Sequence, residues 1–174
     1  MASMASEAVP AALALHELKA LLRIEHGAED ALMAGFVRSA AAACEAFTGL
    51  VLIEREAEEL VEADGRWRRL GQAPVRSIEG VEAMDGQALP VEHHAVDVDA
   101  SGDGWVRAGS GSHRRVRARF RAGLALDWNG VPEPLRHGIV RLAAHLYTAR
   151  DDIGASPPAA VAALWRPWRR LRVG

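Results

Sequence analysis

A chain of 174 residues can bury one sizeable core and needs no second large domain. A hydrophobic share of 49% with a net charge of -2 is that of an ordinary globular protein and excludes an unfolded polyelectrolyte, while the global charge says little about partners. The lone cysteine, Cys44, excludes an internal disulfide and a cysteine-rich zinc site.

Residues 1–12 read as a flexible tail. Their apolar run AVPAALAL has no preceding positive charge, contains Pro10 and is too short to span a bilayer, so neither a signal peptide nor a membrane partner is expected. Residues 13–24 form a first helix with Leu15, Leu18, Leu22 and Leu21 as its inward candidates. A tight turn at Glu25-His26-Gly27 leads into residues 28–47, AEDALMAGFVRSAAAACEAF, the longest unbroken helical rhythm in the chain. There Leu32, Phe36, Ala40, Ala43, Cys44 and Phe47 form the expected buried stripe, Glu29 and Asp30 suit the positive end of the helix dipole, and Gly49 suits its C-cap. The many small residues around this helix allow close approach from its own domain and from a second copy of the chain.

From residue 50 the period shortens. Runs at 50–61, 67–70, 75–84, 95–98 and 105–108 are separated by turn residues, with Asp85-Gly86 the strongest turn, so residues of about 50–122 read as a small antiparallel sheet inserted between helices. Residues 109–112 read as a loop tip. HRRVRARFRA at 113–122 is the clearest strand: Val116, Ala118, Phe120 and Ala122 face one way, Arg115, Arg117, Arg119 and Arg121 the other. A third helix at 134–150 starts at Pro134 and aligns Leu135, Ile139, Leu142, Ala143, Leu146 and Tyr147 against the 28–47 helix. Residues 13–156 thus form an α+β domain, mainly a helical bundle with an inserted sheet, and 157–174 form a last helix and basic tail broken at Pro167.

Charge is unevenly spread along this order. Residues 1–113 hold 9 Lys+Arg and 19 Asp+Glu, whereas 114–174 hold 12 and 4, so the C-terminal third should meet something negative. The Arg115, Arg117, Arg119 and Arg121 stripe is a candidate subunit contact, channel surface or nucleic-acid contact that would ignore sequence. Leu164, Trp165, Trp168 and Leu171 interleave with Arg166, Arg169, Arg170 and Arg172, a pattern suited to docking into another protein or to folding back on its own domain. His93-His94 with Asp97 and Asp99 is the best metal-like cluster, but adjacent strand residues point to opposite faces. His137, Arg141 and His145 share a helix face that the Arg makes unfit for a cation. No phosphate-cradling, dinucleotide, zinc-protease or serine-hydrolase motif is present, so no catalytic residue, metal or cofactor is assigned.

Four fragments in this order resemble the head-tail connector (adaptor) family of tailed phages. LHELKALLRIEHGAEDALMAGFVRSAAAACEAFTG is similar to its opening "LRI/V-x-H", "ED-x-L" and "A-x-T-G", PVRSIEGVEAMDG to "P-V-x-S-I", VRARFRAG to "V-x-V-x-F/Y-x-A-G", and VPEPLRHGIVRLAAHLYTARD to "V-P-x-P-I/L-x-x-A-I". Gly138, where the family commonly has Ala, and an acidic stretch at 54–62 depart from the pattern. The resemblance implies a non-enzymatic virion protein of a phage, prophage or gene transfer agent, assembled in the bacterial cytoplasm as a neck ring of about twelve subunits. It also implies that residues 164–172 bind the portal, that a stopper or tail-completion protein binds opposite, and that double-stranded DNA passes through the lumen. The rival from the residues alone is a sequence-independent nucleic-acid-binding module using the basic C-terminal third; a small hydrolase around His93-His94 has no motif behind it.

Overall fold

Apolar residues recur at helical spacing near both ends of the chain and at alternating spacing in the middle, and the structure separates accordingly. This computed structural model describes residues 3–109, 114–149 and 158–170. It is an α+β chain of two compact units, one of Met1–Gly49 with Asp127–Gly174 and one of Leu50–Leu126.

The first unit is built from helices α1 (Ser3–Leu22), α2 (Asp30–Thr48), α3 (Glu133–Thr148) and α4 (Ala159–Trp165). α1 starts upstream of the expected residue 13; Ala14 and Leu18 are its buried side chains among those described, whereas Leu21 is exposed. The buried stripe of α2 is Met33, Val37, Ala40, Cys44 and Thr48. That is one residue round from the expected stripe, and Leu32 is 44% exposed. Met33 and Val37 take the places expected of Leu32 and Phe36, while Ala40 and Cys44 are buried as expected. The two phenyl rings sit at its margins, Phe36 edge-on to Tyr147 at 6.4 Å and Phe47 against Trp165 at 5.9 Å. Gly49 closes α2 in the left-handed conformation, φ 72°, and its N–H donates to the Glu45 carbonyl at 2.8 Å. In α3 the buried face is Leu135, Gly138, Ile139, Val140, Leu142 and Ala143, with Leu146 and Tyr147 half-buried. Trp128 Nε1 donates to Glu17 at 2.9 Å, tying α1 to the segment that precedes α3.

Burial of Cys44 pushes its thiol up to about 12, with Glu45 adding a smaller push. A maleimide or disulfide reagent at pH 8 should therefore label the native chain only as fast as it opens, and label the urea-unfolded chain at once. Fast labelling of the native chain would contradict the burial. Above the unfolded-state value of 9.0 the unfolded chain loses a proton that the folded chain keeps. Stability should then fall with rising pH by about 1.4 kcal/mol per unit between pH 9 and 12, and be insensitive to this group below pH 9.

The second unit holds two three-stranded antiparallel sheets where one was expected. Their strands are β1 (Arg55–Glu62), β6 (Arg115–Ala122) and β3 (Val75–Glu82) in one sheet, in that order, and β2 (Trp67–Arg69), β5 (Gly104–Ala108) and β4 (His94–Val98) in the other. The expected strand at 50–61 is partly coil: Leu50, Val51 and Leu52 are all buried and their neighbours in space are loop carbonyls and amides, so the alternating pattern begins only at Arg55. Val116, Ala118, Phe120 and Ala122 of β6 lie in one core with Val61, Val75 and Val81 of its own sheet and with Val106 and Ala108 of the other. The turn at Asp85-Gly86 forms as expected, with Gly86 at φ 87° and Asp85 accepting from the Gln87 N–H at 3.0 Å.

Candidate interaction surfaces

The outer face of the first sheet carries the Arg stripe, and the same face carries its counter-ions. Antiparallel register sets Glu56, Glu58 and Glu62 of β1 opposite Arg121, Arg119 and Arg115. Arg121 reaches Glu54 at 2.8 Å and Glu56 at 3.8 Å, Arg119 reaches Glu82 at 3.2 Å, and Arg117 reaches Glu58 at 3.5 Å. Glu62 lies in register with Arg115 and meets Arg68 at 3.1 Å. The acidic stretch and the basic stripe, far apart in sequence, are thus one cross-strand ladder. The charge imbalance between the two parts of the chain largely disappears in the fold, since the unit Leu50–Leu126 holds 11 Arg and 13 Asp+Glu. Such exposed pairs add only about 0–1 kcal/mol each to stability, so their main effect is to cancel the field of the arginines.

The C-terminal segment folds back on its own unit. Trp165 is 4% exposed, packs on Phe47, and its Nε1 donates to the Leu135 carbonyl at 3.4 Å. Gly138 provides the seat: a Cβ there would overlap the Trp165 indole nitrogen and lie 2.8 Å from its Cε2. After the short 3-10 turn Arg166–Trp168, the Arg170 N–H donates to the Thr48 carbonyl at 2.8 Å, satisfying one of the carbonyls left open at the end of α2. The Arg169 guanidinium lies over the Phe47 ring at 5.7 Å, beside the negative end of the same helix. Part of the basic tail is therefore a helix cap. Trp165, one of the residues expected to bind the portal, is buried against its own unit, which is the fold-back alternative for this residue. Leu164, Trp168 and Arg170 are half-buried, Arg166 and Arg169 are exposed, and Leu171 and Arg172 lie outside the described residues. Truncation before α4 would remove core as well as surface, so it cannot separate folding from docking.

The histidine clusters do not assemble a site. His93 closes a 3-10 turn, Val91–His93, and is exposed; the Nδ1 of His94 sits 3.0 Å from the Pro90 carbonyl. Arg141 Nε donates to His137 Nε2 at 3.0 Å. Among the described residues no three His, Cys, Asp or Glu side chains gather closely enough to hold a metal ion.

With this geometry the chain matches solved structures along nearly its whole length. A chain from the neck of an empty gene transfer agent particle, computed with C6 symmetry, is 30% identical, has a TM-score of 0.75, and the match covers 95% of this chain and 93% of that one. The chain belongs to the head-tail connector family. A second match, from the virion of a native gene transfer agent particle, is 29% identical with a TM-score of 0.74 over 95% of this chain and 93% of that one. A third, from the neck of a native particle computed with C12 symmetry, is 25% identical with a TM-score of 0.73 over 99% and 94%. No family model and no curated protein matches the sequence. Within the connector pattern, Gly138 departs from the common Ala because Trp165 occupies the space an alanine methyl would take.

Proposed function

We propose that this connector chain is one subunit of a ring in the neck of a phage or gene transfer agent particle, placed between the portal and a stopper or tail-completion protein. Double-stranded DNA passes through the lumen without sequence-specific binding, and the particle is assembled in the bacterial cytoplasm. The role is structural rather than catalytic. The observation that carries this reading is similarity to a neck chain from end to end at 30% identity, rather than over one motif. The ladder of Arg115, Arg117, Arg119 and Arg121 with Glu54, Glu56, Glu58, Glu62 and Glu82 supports its second half. A face with as many carboxylates as guanidinium groups can border DNA or a sibling subunit without gripping a phosphate backbone. No observation favours the free-standing nucleic-acid-binding module.

For the portal, the exposed members of the 164–172 segment among the described residues are Arg166 and Arg169, with Leu164, Trp168 and Arg170 half-buried beside them; Leu171 and Arg172 belong to the proposal from the sequence alone. Deleting the gene in the producing bacterium should leave DNA-filled heads and separate tails by electron microscopy, with transfer or infectivity abolished. An Arg166→Glu/Arg169→Glu variant should melt as the native chain does yet enter particles poorly. Normal tailed particles from the deletion strain would overturn the neck role; normal incorporation of the double variant would overturn only the portal contact.

A further inference from the structure

The unit Leu50–Leu126 carries two chemically opposite patches outside the Arg ladder. On the β2-β5-β4 sheet, Trp67 and Arg69 of β2 stand in register with Arg107 and Trp105 of the central strand β5. These are the outward residues of the sheet, since Gly104, Val106 and Ala108, which alternate with them on β5, are buried. Trp67 stays 43% exposed with the Arg107 guanidinium 5.1 Å over its ring, and Arg66 beside it is exposed. Trp and Arg are the side chains that concentrate binding energy at protein interfaces.

The other patch is the segment 84–92 between β3 and β4, whose first part folds back on β3. There Val91, at 82%, is the most exposed large hydrophobic side chain among the described residues, and Met84 is 51% exposed. Asp85 and Glu92 beside them are exposed as well. The backbone here is held in place: Ala83 N–H donates to Gln87 at 2.7 Å, Leu89 N–H to Val81 at 2.8 Å, and His93 N–H to Pro90 at 2.9 Å. A preformed acidic and apolar knob loses little entropy on binding.

We propose that residues 84–92 of one copy seat on the Trp67, Arg69, Trp105 and Arg107 face of the next. Val91 and Met84 cover the Trp67 ring, and Asp85 and Glu92 face Arg66 and Arg107; Arg69 meets Asp103 of its own chain at 3.6 Å. Two different patches, one on the outer face of β2 and β5 and one on the segment between β3 and β4, make a head-to-tail contact, which repeats by one rotation and can close a ring; a patch that paired with itself would stop at a dimer. The complementarity lies within a single chain, which makes a second copy the occupant. This contact rests on the ring reading and names the surfaces that would build it.

The test uses full-length chain in purified particles. Arg66→Cys and Gln87→Cys place one thiol at each patch and keep Trp67, Arg107, Val91 and Met84, and Cys44 is buried. A short bis-maleimide should link the double variant into a ladder of multimers, while each single variant gives none. Val91→Asp and Arg107→Glu, each melting as the native chain does, should each prevent incorporation. Many copies per particle by quantitative mass spectrometry with no ladder, or normal incorporation of either charge variant, would overturn the contact and leave the ring reading intact. One copy per particle would overturn both.

Discussion

Gly138→Ala is expected to destabilise the chain by about 1–3 kcal/mol, although alanine is the better helix former by about 1 kcal/mol. The same substitution in a Trp165→Ala background should be stabilising. The reversal follows from what occupies the space. A Cβ at 138 would overlap the Trp165 Nε1 and come within 2.9 Å of Cδ1. The indole cannot step aside, because it is buried, leans on Phe47 at 5.9 Å and is bonded to the Leu135 carbonyl. Trp165→Ala alone should cost about 3–5 kcal/mol, the usual range for emptying a buried aromatic site. Urea unfolding of the four proteins in this cycle checks the claim through its coupling term. A stabilised Gly138→Ala single variant would show that the tryptophan is not seated there.

The same residues show what could be read from the sequence and what could not. A Trp and Arg tail has one composition whether it docks outside or inside, and residues 164–172 alone do not decide between them. The deciding signal lay 27 residues upstream of Trp165, in a glycine where the connector pattern has alanine, and its meaning needs the three-dimensional pairing of α3 with α4. The strand at 115–122 was legible because its period is local, whereas its charge partners were not. Glu54 to Glu62 looked like a separate acidic stretch until the antiparallel register brought them beside the arginines. The helix at 30–48 was legible in extent and cap but not fully in rotation, since Met33 and Val37, not Leu32 and Phe36, join Ala40 and Cys44 in its buried stripe. The knob at 84–92 and the Trp67 face were invisible for a different reason: exposure is a property of the fold, and Val91 or Trp67 in a strand-rich sequence reads as core.

Gly123→Ala should be the most damaging substitution in the sheet unit, costing about 3 kcal/mol or more, and its cause explains why two of the recognised fragments travel together. A Cβ at 123 would overlap the Glu54 Cα and amide nitrogen and lie 2.8 Å from the Ile53 carbonyl carbon. These are backbone atoms, so no rotamer change relieves the overlap and the strand start must move. Gly104→Ala is the control: its Cβ would meet only the side-chain ends of Val75 and Leu70, at 2.8 and 2.9 Å, which can adjust, so its cost should be smaller. Gly123 also joins the fragments directly. Its N–H donates to the Pro74 carbonyl at 2.8 Å, its carbonyl accepts from Arg76 Nε at 2.9 Å, and Arg76 also bonds the Leu124 carbonyl. The PVRSI and VRARFRAG fragments are therefore two halves of one joint, and the glycine that ends the second is where the first closes over it. Arg76→Ala should loosen this joint without the steric penalty, lowering the melting temperature less than Gly123→Ala does. An equal loss from both would mean that the hydrogen bonds, rather than the close backbone approach, set the requirement for glycine.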